Sequence, residues 1–161
     1  MLSIPPVTSA VSIQLLLFSL DGQRYGLELP VVERVVRAVE LEALPGAPKV
    51  IRGIFSLSGA LVPVGDLRRR LGLPERDIAL SDCIVIVWAG SQRLGVLVDG
   101  ETDVVTCAAG DVVPTGAIFR GGDLVEGVAQ LGNGIVLVNN LAKFLTIAEQ
   151  LSLREALDDR R

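Results

Sequence analysis

The side chains that could do chemistry in this chain are few, and their spacing does not suit catalysis. The 161 residues include no histidine, which removes the usual base of serine and cysteine hydrolases and the usual histidine ligands of zinc. Ser56 and Ser58 lie near glycines, but the Gly-x-Ser-x-Gly elbow is absent. Cys83 and Cys107 lack a Cys-x-x-Cys spacing and lie among apolar residues, which predicts free buried thiols. The chain is therefore not expected to be an enzyme.

Cofactor and metal sites are also not predicted. The phosphate-binding pattern Gly-x4-Gly-Lys is missing, and the only lysines are Lys49 and Lys143. Asp99, Glu101 and Asp103 follow an apolar segment without the dense oxygen-ligand spacing of a calcium loop, so they are interpreted as solvated loop charges. We expect no cofactor and no metal.

The charge balance limits the classes of partner. A net charge of −4 argues against nucleic acid or an anionic membrane surface. The adjacent Arg68, Arg69 and Arg70 are interpreted as solvated charge at a helix end, with a local basic patch as the alternative. No apolar run approaches the roughly 18–20 residues that a membrane helix needs, and no basic residue precedes the apolar segment 11–20 as a secretory signal requires. The expected location is the cytoplasm, without membrane insertion.

The rest of the chain is organised around residues 53–67, which predict a strand, a tight turn, a second strand and a short helix. The turn falls at Ser58-Gly59, where glycine tolerates the backbone angles of a two-residue hairpin. Pro63 cannot donate to a sheet ladder, so its strand is expected to be an edge or to leave the sheet there. Asp66 is expected to cap the helix at 67–71.

Many further short strands predict an all-β fold. They are expected at 13–20, 24–29, 35–41, 83–89, 93–98, 102–108, 124–131 and 135–138, with an irregular segment at 110–123. Thr146 and Glu149 resemble a capping box at the start of a C-terminal helix. Its apolar residues Ile147, Leu151 and Leu157 predict a stripe packed into the core, with a partner site as the alternative.

Two blocks of sequence are repeated. Residues 51–73 align without a gap onto 125–147, and residues 23–36 align onto 92–105. The identical pairs in the first block are Gly53/Gly127, Leu57/Leu131, Val62/Val136, Val64/Val138, Leu67/Leu141 and Leu71/Leu145. A duplicated strand pattern predicts two small barrels, and because each would bury little surface alone, the two should pack together.

Several phrases resemble the CheW family in their order and spacing. They are FSLDGQRYGLEL at 18–29, LPGAP at 44–48, residues 53–73, GVLVDG at 95–100 and GIVLVNNLAKFL at 134–145. The resemblance covers about residues 13–147. We therefore expect a flexible tail at 1–12, a CheW-like domain of two pseudo-repeated barrels at 13–147, and a C-terminal helix and tail at 148–161.

The resemblance implies a fold and a function. The fold is two packed, SH3-like, five-stranded β-barrels with short helices and a C-terminal helix. The function is that of a non-catalytic scaffold in bacterial chemotaxis signal transduction. The implied partners are the regulatory domain of a CheA-type histidine kinase, itself CheW-like, and the cytoplasmic tip of chemoreceptors, which lies in the groove between the barrels. Recruitment to membrane-associated receptor arrays follows from those partners.

The same resemblance implies partner-binding positions. They are Val32, Arg34, Gly53, Ser58, Gly95 and Val104. Two of them depart from the family pattern, which usually has arginine at the position of Ser58 and glutamate at the position of Arg34. The alternative hypothesis is therefore a divergent CheW-type protein that binds kinase or array components but not receptors in the usual way, in a surface-sensing, motility or localisation pathway.

Overall fold

The computed structural model describes residues 11–115, 124–132 and 134–160. The strands are β1 (Ser12–Leu20), β2 (Gln23–Glu28), β3 (Val32–Arg37), β4 (Ile51–Leu57), β5 (Ala60–Asp66), β6 (Cys83–Ala89), β7 (Gln92–Ala108), β8 (Val112–Pro114), β9 (Val125–Leu131) and β10 (Gly134–Asn139). The helices are α1 (Leu67–Leu71) and α2 (Ile147–Arg160), with 3-10 turns at Leu29–Val31, Ala109–Asp111 and Leu141–Lys143. Residues 1–10 of the predicted tail and 116–123 of the predicted irregular segment lie outside the described residues.

The strands form two small barrels that share β7. The first barrel contains β1, β2, the second half of β7, β9 and β10, with the short β8 at the edge of β9. The second barrel contains β3, β6, the first half of β7, β5 and β4. In the first barrel, β8 pairs along the edge of β9. At the equivalent edge of β4 in the second barrel, the structure has only a single bridge between Glu42 and Ile54.

The sequence repeat is visible in the strand pairing. β5 runs parallel to β7 with Val64 opposite Gly95, and β10 runs parallel to β2 with Val138 opposite Gly26. These are the residues that the two alignments equate. Strand β5 from the first half of the chain therefore pairs with β7 from the second half, and β10 from the second half pairs with β2 from the first.

Three apolar clusters fill the molecule. The interior of the first barrel holds Leu15, Leu17, Cys107, Ala129, Val136 and Val138. The interior of the second holds Val62, Val64, Ile84, Ile86 and Leu97. The largest cluster lies between the barrels and includes Leu16, Phe18, Leu27, Val85, Val87, Val96 and Phe144. Because β1 and β6 contribute to two clusters, both of their faces are buried, which explains their nearly continuous apolar sequences.

The hairpin around the Ser58-Gly59 turn agrees with its prediction, and Asp66 accepts hydrogen bonds from the backbone N–H groups of Arg68 and Arg69. Pro63 is not on an edge strand, because β5 pairs on both sides; its pairing with β7 begins only at Val64, directly after the proline.

Several strand predictions were wrong in extent. The strand expected at 35–41 is β3, Val32–Arg37, which pairs with β6 from Val32 onward and ends at Arg37. The segments 93–98 and 102–108 form one continuous strand, β7, although Gly100 within it has φ +59°. Its N–H donates to the Asp82 carboxylate at 3.2 Å. The segment predicted to be irregular contains β8, whose apolar residues are too few to show a strand period.

The predicted apolar stripe of α2 was also wrong. The capping box is present, with Thr146 and Glu149 exchanging hydrogen bonds of 2.9 and 3.1 Å. However, Ile147 is 78% exposed and Leu151 is 54% exposed. The buried residues are Leu153 and Ala156, with Leu157 partly buried beside them. Ala156 lies beside Gly46, and the second half of α2 packs while the first half does not.

Candidate functional site

Three of the six predicted partner-binding residues share one row of paired residues across the second barrel. Arg34 pairs with Ile86, which pairs with Gly95. Gly95 pairs with Val64, which in turn pairs with Gly53. Since neighbouring strands are about 4.8 Å apart, the row extends roughly 19 Å around the barrel. The pairing thus places Arg34 and Gly53, which are distant in sequence, at the two ends of one row.

The two glycines in this row are buried where side chains do not fit. A Cβ atom on Gly53 would lie 2.6 Å from the carbonyl oxygen of Glu42, and one on Gly95 would lie 2.7 Å from Cγ2 of Ile84. Both distances are shorter than van der Waals contact. The glycines therefore allow close packing inside the barrel, and a role in partner binding remains a prediction for them.

Arg34 is a half-exposed cation without a close partner. Its side chain is 50% exposed, and its Nε lies 3.7 Å from Oε2 of Glu33. Glu33 is bound by Arg93, whose Nε donates to Oε1 at 3.0 Å while its second nitrogen donates to Oε2. The hydrogen bonds from Arg93 outweigh partial desolvation and lower the pKa of Glu33, and the same pairing raises the pKa of Arg93. Glu33 is thus already neutralised by Arg93.

The remaining three candidates lie apart from this row. Ser58 is exposed at the tip of the β4–β5 hairpin with φ 52°, an uncommon left-handed conformation for a residue with a side chain. Val32 begins β3 opposite Val87 and packs against the cluster between the barrels. Val104 is exposed on the half of β7 that belongs to the first barrel. Five candidates therefore belong to the second barrel and one to the first.

A groove of about 520 Å³ runs between β3 with its following connector and the β4–β5 hairpin. We call it the β3 groove. Its lining residues are Val36, Arg37, Val39, Glu40, Glu42, Ile54, Phe55, Ser56, Leu57, Leu61 and Arg160. Leu57 directly precedes Ser58, and Val36 lies two residues after Arg34 on β3, but neither Ser58 nor Arg34 lines the groove. The groove therefore runs close to both positions without including either.

A second apolar surface, which we call the loop patch, lies on the other side of the connector. It consists of Val39, Leu41, Ile78 and Leu80 around a cavity of about 450 Å³. Leu80 is 89% exposed, the largest value among the exposed large apolar residues of the described chain. The sequence contained no periodic pattern in this loop that would have indicated the patch.

The loop that carries Leu80 is held by ion pairs. Arg76 binds Asp82 at 2.7 Å and Asp99 at 2.6 Å, and Asp82 also accepts from the N–H of Ala79 at 2.8 Å. Burial raises the pKa of Asp82, but the hydrogen bonds from Arg76 and the backbone outweigh it and the net pKa is lowered. These contacts hold the loop against the barrel, while the Leu80 side chain lies in solvent.

Arg68 shows that the arginine run was misinterpreted. It is only 6% exposed and binds Asp21 at 2.6 Å and Asp99 at 2.5 Å. Desolvation opposes the charge, but the bonds to Asp99 and Asp21 prevail and raise the pKa of Arg68. Asp99 is accordingly not a solvated loop charge. Arg70 binds Glu149 of α2 and lies 5.6 Å over the ring of Phe144, so these arginines join elements of the fold.

Within residues 11–115, 124–132 and 134–160, no group of three or more His, Cys, Asp or Glu side chains is arranged to hold a metal ion. The helices in that part of the chain are all too short or too polar to cross a membrane. Cys83 and Cys107 are free thiols, and burial raises the pKa of each.

Comparison with known proteins decides the family. The model of the CheW-like domain matches residues 14–149. The chain belongs to the CheW family. Among its relatives, the chemotaxis protein CheW of Treponema pallidum (strain Nichols) is 24% identical over 152 residues, covering 91% of this chain and 89% of the relative. Protein FrzA of Myxococcus xanthus is 30% identical over 139 residues, covering 83% and 85%.

A solved CheW structure has the same fold. The scaffolding protein TtCheW from Thermoanaerobacter tengcongensis superposes with a TM-score of 0.79 at 27% identity, covering 86% of this chain and 91% of TtCheW. CheW-family membership confirms the predicted pair of SH3-like barrels and the predicted non-catalytic scaffold class. The partner-binding roles of the six predicted residues stay predictions.

Proposed function

We propose that this chain is a cytoplasmic, non-catalytic adaptor that couples a CheA-type histidine kinase to chemoreceptors in bacterial chemosensory signalling. The observation that carries this proposal is the CheW-like domain across residues 14–149. Two candidate partner surfaces, the loop patch and the β3 groove, lie on the second barrel on either side of the connector that follows β3.

The loop patch is our candidate surface for the regulatory domain of the kinase. Exposed apolar side chains next to a cavity gain free energy when a partner removes their surface from water. Leu80 is 89% exposed beside the cavity of the loop patch. A CheW-like barrel of the kinase would bury Leu80 together with Ile78.

For the receptor tip, the exposed members of the six predicted positions are the candidate contacts: Arg34, Ser58 and Val104. The β3 groove lies close to two of them, since it is lined by Val36 of β3 and by Leu57, the residue before Ser58. The groove is open and partly apolar, which suits a helical segment that inserts side chains.

A second candidate function is supported by the two departures from the family pattern. Arg34 reverses the charge usual at its position, and Ser58 lacks the usual arginine. A protein with both changes would bind the kinase and not a family-typical receptor, and would act in a surface-sensing, motility or localisation pathway. The two departures are chemically consistent with each other. A change at only one of the two positions would leave the charged side chain at the other position without its partner.

Isothermal titration calorimetry with two purified probes tests the proposal. The probes are a CheA regulatory domain and a chemoreceptor tip fragment. We expect binding to both, and we expect Leu80→Ser to weaken binding to the kinase domain while Leu151→Ser, an exposed leucine on α2, does not. Binding to neither probe would refute the adaptor function.

The second candidate has a different outcome in the same experiment. It predicts binding to the kinase domain alone. It also predicts that the double variant Arg34→Glu with Ser58→Arg gains affinity for the receptor fragment. A wild-type chain that binds the receptor fragment as tightly as the double variant would exclude it.

A further inference from the structure

We propose that Trp88 anchors the receptor tip on the second barrel, with its exposed ring covered by an apolar side chain of the tip and the neighbouring Arg34 paired with a carboxylate of the tip. This inference rests on the proposed function, because it specifies a contact residue and the chemistry of the partner at the receptor-binding surface. Trp88 is not one of the six positions that the family resemblance implies.

The first observation is the exposure of the indole. Trp88 is the only tryptophan of the chain, and it is 49% exposed near the end of β6. Ile84 and Ile86, which share its face of the strand, are fully buried in the second barrel. Tryptophan is enriched among the residues that dominate binding energies at protein interfaces. A half-exposed indole at the end of a buried row therefore offers apolar surface that a partner can remove from water.

The contacts of Glu33 place Trp88 next to Arg34. Arg93 lies directly opposite Trp88 in the pairing of β6 with β7, and it binds both carboxylate oxygens of Glu33. Arg93 is the main cause of the lowered pKa of Glu33, and a weaker side-chain hydrogen bond from Trp88 also lowers it. Nε of Arg34 lies 3.7 Å from the same Glu33 carboxylate. The indole and Arg34 therefore border one carboxylate, which Arg93 already neutralises.

Arg34 supplies the charge that selects the partner. Its side chain is 50% exposed, and Glu33 is the only acidic residue with which it forms an ion pair in the part of the chain that the structure describes. Because Glu33 is shared with Arg93, the Arg34 guanidinium keeps N–H donors for an incoming group. A carboxylate is the complementary group for a guanidinium. The surface thus fits a segment that carries an apolar side chain and a carboxylate close together.

The position of Trp88 favours the receptor tip as the occupant. The strands of the second barrel are paired in the order β3-β6-β7-β5-β4, so the β6–β7 hairpin lies between β3 and the β4–β5 hairpin. On one side, Trp88 lies one residue beyond the partner of the predicted position Val32. On the other side, Gln92 and Gly59 line one cavity of about 550 Å³, and Gly59 directly follows the predicted position Ser58. Predicted receptor positions therefore lie on both sides of the hairpin that carries Trp88.

The loop patch, our candidate surface for the kinase domain, lies at the other end of β6. The loop with Leu80 leads into β6 at Cys83, and Trp88 is five residues further along the strand. At about 3.3 Å per residue, Trp88 is roughly 17 Å from the start of β6. The two surfaces therefore do not overlap, as simultaneous binding of both partners requires.

Tryptophan fluorescence of the wild-type chain tests the contact directly, because Trp88 is its only tryptophan. The probe is a chemoreceptor tip fragment without tryptophan. We expect the emission maximum to shift to shorter wavelength and acrylamide quenching to decrease when the fragment is added, since half of the ring is exposed in the free chain. Unchanged emission and quenching, with or without binding of the fragment, would overturn the inference.

Substitutions measure how much the anchor contributes. Trp88→Ala should weaken binding of the fragment about 30-fold in isothermal titration calorimetry, the usual effect of removing a hot-spot side chain. Trp88→Phe, which keeps an apolar ring, should retain most of the affinity. Ile135→Ala is the matched control, because Ile135 is 54% exposed on β10 of the first barrel and should leave the affinity unchanged. A Trp88→Ala variant that binds as tightly as this control would overturn the inference.

The carboxylate contact is tested through Arg34. Arg34→Gln should weaken binding of the fragment about threefold, as expected for one exposed ion pair, and should reduce the salt dependence of the affinity. An affinity and a salt dependence equal to those of the wild type would overturn the carboxylate part of the inference.

Circular dichroism and binding of the kinase domain separate these outcomes from misfolding and from failure of the proposed function. Trp88→Ala should keep the wild-type spectrum and the wild-type affinity for the kinase domain. A wild-type chain that binds both probes without any change in the fluorescence of Trp88 would remove the inference alone. A chain that binds the receptor fragment through Trp88 but does not bind the kinase domain would remove the coupling function and leave the inference in place.

Discussion

Gly95 lies opposite Val64 in the parallel pairing of β7 with β5. Their counterparts in the repeat, Gly26 and Val138, lie opposite each other in the parallel pairing of β2 with β10. Each barrel is therefore assembled from both halves of the chain. A truncated half would lack the strands that complete its barrel, so the two barrels should unfold together.

Gly95→Ala should destabilise the fold by about 1–3 kcal/mol, the usual effect of overpacking a tight core. The added Cβ would lie 2.7 Å from Cγ2 of Ile84 and 3.3 Å from Cγ2 of Val64. Urea unfolding followed by circular dichroism measures the change. Gly110→Ala is the control, because nothing lies within 4 Å of its Cβ position. An unchanged midpoint for Gly95→Ala would contradict the packing role.

Arg68→Met should destabilise the protein by about 1.5–3 kcal/mol, because it removes the charge-assisted hydrogen bonds of a buried arginine to Asp21 and Asp99. Arg69→Met, at the next position, should cost less, since its partner Glu75 is exposed and the buried Asp66, 3.6 Å from its Nε, keeps Arg52 at 3.0 Å. Thermal and urea unfolding of both variants provide the comparison. If the two substitutions changed the free energy of unfolding equally, the burial of Arg68 would not contribute to stability as described.

Asp82 should make stability depend on acidic pH. Its pKa is lowered in the folded protein by Arg76 and two backbone N–H groups acting against burial. Its stabilisation is therefore complete above the ordinary aspartate pKa of about 4 and is lost as the pH falls through the lower folded value. The stability difference between wild type and Asp82→Asn should be largest above about pH 5 and shrink below pH 4.

Urea unfolding midpoints between neutral and acidic pH measure this difference. Asp158→Asn removes an exposed carboxylate of α2 and is the control. If the Asp82→Asn and wild-type curves stay parallel down to the acid limit, the ion pair with Arg76 does not contribute as described.

The orientation of α2 can be tested with two leucines of the same helix. Leu153→Ala should cost about 2–5 kcal/mol, as a fully buried leucine does, because Leu153 is buried in the cluster between the barrels. Leu151→Ala should change stability by less than about 0.5 kcal/mol, since Leu151 is exposed. Denaturant unfolding would contradict the described packing if Leu151 proved the more sensitive position.

Much of the fold was predictable because local patterns and the repeat carry it. The hairpin turn at Ser58-Gly59, the cap at Asp66 and the capping box at Thr146 depend on neighbouring residues, and all three agree with the structure. The repeat added long-range information, since equating Val64 with Val138 indicated equivalent positions in two barrels.

The contacts that sequence reasoning missed join residues far apart. Arg68 binds Asp99 across 31 positions of sequence, and nothing in the run of three arginines indicates which one is buried. Leu80 is exposed because Arg76 holds its loop by such contacts. The stripe of α2 failed for a related reason: Ala156 packs beside the distant Gly46, and a periodicity of large apolar residues does not include alanine.

The most direct test of the adaptor function is a ternary binding measurement. The chain, a CheA regulatory domain and a chemoreceptor tip fragment are mixed and analysed by size-exclusion chromatography with light scattering. The account predicts a complex that contains all three proteins, and predicts that Leu80→Ser releases the kinase domain while the receptor fragment stays bound. Elution of the wild-type chain free of both partners would contradict the account.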